Sequence, residues 1–155
     1  MRTMIRAVAI AATAALVTSA VVIASSSLGV TAVTRADGLV SGRVNVNIPG
    51  SVKLQAKDGL HVLDQELTIA PLGHTGWHTH PGPVLVTVKS GTFRYQHADC
   101  TFTDYTVGQT IVDPGGGHIH IGRNPSSSVA LELSVTYLLP PGAPVRIEAD
   151  AVACS

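Results

Sequence analysis

Gly73-His74-Thr75-Gly76-Trp77-His78-Thr79-His80-Pro81-Gly82-Pro83 decides how this chain is read. His78 and His80 stand two apart, and residues two apart on a β-strand project from one face. Two imidazoles aimed into one space are half of a transition-metal site, and a third from another strand completes one with open positions. A second pair, His118 and His120, follows the turn Pro114-Gly115-Gly116-Gly117.

Strand patterns surround both pairs. Val44, Val46 and Ile48 alternate with Arg43, Asn45 and Asn47, and Val129, Leu131, Leu133, Val135, Tyr137 and Leu139 keep the same period. Such period-2 alternation predicts half-buried strands. Shorter runs at Val52–Ala56, Leu60–Ala70, Val84–Lys89, Thr92–His97 and Gln109–Asp113 lie between turn markers such as Pro49-Gly50, Asp58-Gly59 and Ser90-Gly91. No helical period is sustained after residue 37, so the expectation is an all-β sandwich or barrel. The tail Pro140-Pro141-Gly142-Ala143-Pro144 cannot be a central strand, because proline lacks the ladder donor.

Arg2 and Arg6 precede a stretch from Ala7 to Thr34 without a charged residue. A basic start followed by an apolar run predicts a secretory signal over residues 1–36, with Ala36 or Ala32 as the cleavage point. The run is also long enough for an uncleaved N-terminal membrane anchor. Either way residues 37–155 form one domain outside the cytoplasm, secreted or anchored. That domain keeps seven basic and all ten acidic residues, a net charge of −3 with histidine neutral. A nucleic-acid surface needs the opposite sign. Cys100 and Cys154 are an even count in an exported chain and read as a disulfide pinning the tail, with Cys100 as a metal ligand or reactive thiol the alternative.

The chain resembles the cupin superfamily, in the manner of a small single-domain cupin. The first cupin motif is matched by Gly73, His78, His80 and Gly91, with the glycine-to-histidine gap one residue short. The second is matched by Gly108, Pro114, Gly116, His120 and Asn124, with one extra residue before His120. The resemblance covers about residues 60–140. It implies a jelly-roll barrel, or double-stranded β-helix, with a metal near its centre. The motif's glutamate position falls on Val84, with Leu85 next, and neither ligates a metal. The family's three histidines and one glutamate are thereby reduced to three histidines, as in some cupin dioxygenases. His78 and His80 supply two; His120 ranks ahead of His118 as the third, and a four-histidine set remains open. Nitrogen donors without thiolates suit divalent Fe, Mn, Zn, Ni or Cu.

The other side chains are read more plainly. His61 and His97 are surface or satisfied core residues, and His74 is a mouth residue or a solvent-exposed one. Trp77 packs, Thr79 alternates outward, Tyr137 belongs to the core, and Tyr95 and Tyr105 lie near a cavity. Glu66, Glu132 and Asp113 are the candidate carboxylates, with Glu132 facing out. No nucleophile elbow or phosphate-binding glycine loop occurs. Three functional readings follow. One is a metal-dependent dioxygenase or isomerase acting on a small molecule. Another is a non-enzymatic module that binds or senses a small ligand or metal. The third, kept open by the missing glutamate, is a structural or adhesive β-domain with a degenerate site. A homodimer is compatible with each; a membrane partner enters only through the N-terminal segment.

Overall fold

The computed structural model describes residues 26–154. Among these there are strands and turns but no helix. The strands are β1 (Leu28–Val40), β2 (Val44–Ile48), β3 (Val52–Ala56), β4 (Leu60–His74), β5 (His78–Thr79), β6 (Val84–Ser90), β7 (Thr92–His97), β8 (Phe102–Thr106), β9 (Thr110–Asp113), β10 (His120–Arg123), β11 (Leu131–Leu139) and β12 (Ile147–Glu148). Two antiparallel runs face each other, β1-β4-β11-β6-β9 and β12-β5-β10-β7-β8, joined where Arg123 of β10 pairs with His74 of β4. The result is a nearly closed barrel.

The alternation of β11 translates directly into burial. Leu131, Leu133, Val135, Tyr137 and Leu139 are buried, while Glu132 and Ser134 face solvent. From the facing run, Phe93 and Tyr95 of β7 enter the same core. Each fully buried aliphatic side chain there contributes about 1.5–3 kcal/mol by leaving water. Arg94, between Phe93 and Tyr95, turns outward, donates to Asp104 at 2.8 Å and stacks over Phe102.

Two glycines are required by geometry. Gly91, in the β6–β7 turn, has a φ of 80°, where a side chain is strained. Gly115 has a φ of 66°, and a Cβ there would lie 2.3 Å from the Gly82 carbonyl oxygen. Its bareness lets the β9–β10 turn close against the Pro81-Gly82-Pro83 corner. Gly116 N–H then donates to the His80 carbonyl at 2.8 Å, tying one histidine-bearing segment to the other.

The domain boundary expected at residue 36 falls inside β1. Residues on both sides of it pair in register with β4, from Val30↔Ile69 to Val40↔Leu60. Arg35 bonds Glu66, and Asp37 lies 2.7 Å from His61. The described domain thus starts upstream of residue 37, because exposed β1 completes the edge of the sheet and tucks Val30 against the core. The predicted leader or anchor lies, up to residue 25, outside the described residues. No helix among the described residues is long and apolar enough to cross a membrane.

Three local expectations also shift. β2 and β3 pair as a separate hairpin, and Val46, Ile48 and Val52 are exposed rather than half-buried. Thr79, expected to alternate outward, is buried, and it is the cross-strand partner of Ile147 in β12. Cys100 and Cys154 are bridged, which anchors the tail carrying β12.

Candidate metal centre

Strand register brings the histidines together. His78 of β5 is the cross-strand partner of His120 of β10, so their side chains share a face. His80 follows two residues after His78 and returns to that face. The ring centroids are 4.3 Å apart for His78 and His120, 4.8 Å for His78 and His80, and 5.4 Å for His80 and His120. One ring nitrogen from each lies within 4.8 Å of the others, and all three residues are buried.

Each imidazole is oriented from behind. His78 Nδ1 lies 2.8 Å from the Gly76 carbonyl, His80 Nδ1 2.7 Å from the Val145 carbonyl, and His120 Nδ1 2.8 Å from Asp113 Oδ2. Carbonyls and carboxylates only accept, so each Nδ1 carries a proton and Nε2 is the nitrogen turned toward the shared space. This outer arrangement orients metal-ligating histidines in general. Burial pushes the His78 pKa down to about 2, with help from the neighbouring His120, Arg146 and His80. Burial lowers His80 as well, against the opposing pull of its bond to Val145. Both rings are therefore neutral and ready to ligate at neutral pH.

Asp113 is 1% exposed and fully engaged. Burial works against its charge. The His120 N–H and positive potential, the Tyr95 hydroxyl at 2.6 Å and the Gly115 N–H at 2.6 Å outweigh it, holding the carboxyl well below its usual range. Burial and that bond to Asp113 push the Tyr95 phenol up, so it stays a donor. Tyr95 also stacks on His120, with centroids 4.7 Å apart.

The three histidines line one wall of a cavity of about 240 Å³. Its other walls are mainly apolar, from Val84, Val86, Phe93, Leu133 and Val135. Two polar side chains also reach it. Tyr137 makes no hydrogen bond within the described residues, and burial pushes its phenol up to about 12. Arg146 donates through Nη1 to the Thr75 carbonyl at 2.7 Å and through Nη2 to Glu148 at 2.6 Å. Its Nε is buried without an acceptor.

The expected site residues sort clearly. His78, His80 and His120 converge. His118 stands outside that trio because it lies in the turn before β10, so strand alternation does not carry it to the face of His120. Its Nδ1 is 3.2 Å from the Tyr95 hydroxyl. It also comes near Asp113 and His120 as a second acidic and histidine group. That group is poorly free to ligate, since both Asp113 oxygens and His120 Nδ1 are already bonded. Val84, at the glutamate position of the motif, is 1% exposed and lines the cavity. Glu66 is on the surface with Arg35 and Lys89, and Glu132 is exposed. His74 accepts from Gly76 N–H at 3.2 Å and so shapes the loop before His78. Asn124 is structural: its amide reaches the carbonyls of Ile69, Ala70 and Val129.

Sequence reasoning missed the role of Asp113 behind His120, and missed Val145 and Arg146 altogether. A carboxylate ending a strand before a Pro-Gly turn was the available signal for the first. Nothing local marks the other two, which reach the site only because the tail folds back.

No protein-family model matches this sequence, and no curated protein matches it. Solved structures do. The polyketide cyclase RemF from Streptomyces resistomycificus superposes with a TM-score of 0.57 at 16% identity, over 87% of this chain and 79% of that one. A cupin-like protein from Thermotoga maritima gives 0.50 at 15% identity, over 61% and 79%. A cupin domain from Bordetella pertussis gives 0.45 at 20% identity, over 64% and 96%. With both histidine motifs on neighbouring, paired strands of one antiparallel barrel, this chain has the cupin fold, a double-stranded β-helix.

Proposed function

We propose that this protein is an exported cupin that holds a divalent transition metal on His78, His80 and His120 and binds a small, largely apolar molecule against it. The supporting observation is the convergence of three imidazoles, each held from behind at Nδ1, on the wall of a largely apolar cavity. Three nitrogen donors fit Fe, Mn, Zn, Ni or Cu, and Val84 leaves the fourth protein position empty of a donor. A bound metal of this kind supplies Lewis-acid or redox chemistry beside its open positions.

The chain's own residues would place the substrate. Val86, Leu133, Val135 and Phe93 take an apolar body. The Tyr137 hydroxyl and the unpaired Arg146 Nε–H suit an oxygen end such as a carboxylate, enolate or carbonyl. An unmet buried donor costs about 1–3 kcal/mol, which such an oxygen would relieve. The reaction class these features favour is dioxygenase-like oxidation of a small molecule.

A non-enzymatic binding module is the second reading. It is favoured by the lack, among the described residues, of a free acid or base on the cavity wall, since Asp113 is committed to His120 and Tyr95. Metal analysis followed by oxygen uptake with diketones, thiols and phenols separates the two. Bound iron with substrate-dependent oxygen consumption supports the enzyme; a retained metal without turnover supports the module; His78→Ala with undiminished metal overturns both.

Export is part of the proposal. The disulfide and the lack of a membrane-crossing helix among the described residues are compatible with an extracytoplasmic site. The pairing of β1 favours a leader ending before Leu28 over one ending at Ala36, which would remove Val30 and Ala32 from the cavity wall. N-terminal sequencing of the exported protein tests this: a first residue at Asp37 refutes it.

A further inference from the structure

We propose a second cation site on the surface, in an open groove at the barrel rim, built by His97 and His118 and taking a borderline divalent ion such as Zn²⁺, Cu²⁺ or Ni²⁺. It stands independently of the central trio.

The register places it. His97 ends β7 and is the cross-strand partner of His120, so it shares the face of the central histidines but sits at the rim. His118 arrives from the β9–β10 turn. The two rings meet edge to face, 77° apart, with His97 Nδ1 3.4 Å from His118 Nε2.

The tautomer of His118 is set by its other neighbour. Tyr95 gives its only proton to Asp113 Oδ2, so toward His118 the phenol oxygen accepts. His118 Nδ1 therefore carries its proton, and Nε2 turns a lone pair toward His97. The separation then decides what fits between them. A distance of 3.4 Å is long for an N–H···N bond. Two nitrogens bound tetrahedrally to one cation at roughly 2.0–2.1 Å stand about 3.3–3.4 Å apart. His97 is free to adopt the tautomer that offers Nδ1.

Asp99 lines the same groove. Thr101 donates to its Oδ1 through Oγ1 at 2.6 Å and N–H at 2.9 Å, which holds the carboxyl below its usual range. Its Oδ2 has no partner within the described residues, which leaves a negative oxygen on the groove wall. Imidazole donors select Zn, Cu or Ni over Mg or Ca. The groove is open, so water fills the remaining positions.

Calorimetric titration of the metal-stripped full chain with Zn²⁺ tests the assignment. Two classes of site are expected, one equivalent each. His97→Ala and His118→Ala should each remove one class and keep the other, and the retained class reports that the variant is folded. His78→Ala should remove the opposite class. A wild-type chain whose only equivalent is lost in His78→Ala and kept in His97→Ala overturns the proposal. So does a His97→Ala variant that still takes two, which would move the second ion to Asp113, His118 and His120.

Discussion

Asp113 Oδ2 lies 2.8 Å from His120 Nδ1, and the same oxygen accepts the Tyr95 hydroxyl at 2.6 Å. A carboxylate behind a ligating histidine fixes its tautomer and raises its basicity, and loss of such a partner typically lowers metal affinity about 10–100-fold. Asp113→Asn keeps the shape and removes the charge. Metal affinity measured by competition with a chelator should fall by that order while the circular dichroism spectrum is unchanged. An affinity equal to wild type would show that Asp113 only supports the turn at Gly115.

Val84 occupies the motif's glutamate position and faces the cavity. Val84→Glu would bury a carboxyl against apolar walls. Without metal this should destabilise the fold by roughly 4 kcal/mol, the equivalent of a three-unit pKa shift. With a divalent metal the carboxylate gains a partner, so the loss in melting temperature should shrink. An equal loss in both conditions would place the side chain out of reach of the histidines.

The buried histidines make the metal-free protein sensitive to acid. His78 titrates near 2 when folded and near 6.5 when unfolded. Between those values the unfolded chain binds a proton that the folded chain refuses. Stability is therefore complete above about pH 6.5 and declines as pH falls toward 2, at roughly 1.4 kcal/mol per pH unit for each such histidine. His80 shifts in the same direction and adds to the slope. Urea denaturation of the metal-free protein at pH 7.5, 6 and 5 should show a falling midpoint. A midpoint constant over this range would mean that the rings are hydrated.

The Cys100–Cys154 bridge closes a sequence separation of 54 residues. In the loop-entropy picture it contributes roughly 4 kcal/mol at most. The tail it anchors also supplies the Val145 carbonyl to His80, places Arg146, and pairs β12 with β5. Cys154→Ser should therefore lower both the unfolding free energy and the affinity for metal. Lower stability with unchanged metal affinity would show that the tail holds its place without the bridge.

Much of the fold was legible in the chain. The alternation through Leu131, Leu133, Val135, Tyr137 and Leu139 maps onto burial in β11, and Thr92–His97 coincides with β7. Failures arose where the same pattern met a different surrounding. Val46 and Ile48 alternate as well, but nothing covers them among the described residues, because alternation states which residues share a face and not whether that face is buried. The part of β1 up to Ala36 was assigned to the leader because an uncharged run of small and β-branched residues suits both a membrane segment and an edge strand. His118 was grouped with His120 by spacing, although spacing sets orientation only in a regular strand, and the turn ends after it.

Local chemistry by itself determined that His78 and His80 share a face, that Val84 donates nothing, and that two cysteines stand ready to pair. Those statements depend on residue type and short-range geometry, which a sequence carries. Only the tertiary structure decided that His120 completes the trio, that Asp113 stands behind it, that Arg146 returns from the tail, and that His97 meets His118. Each of these joins residues far apart in the chain, and strand register and closure of the barrel set such distances.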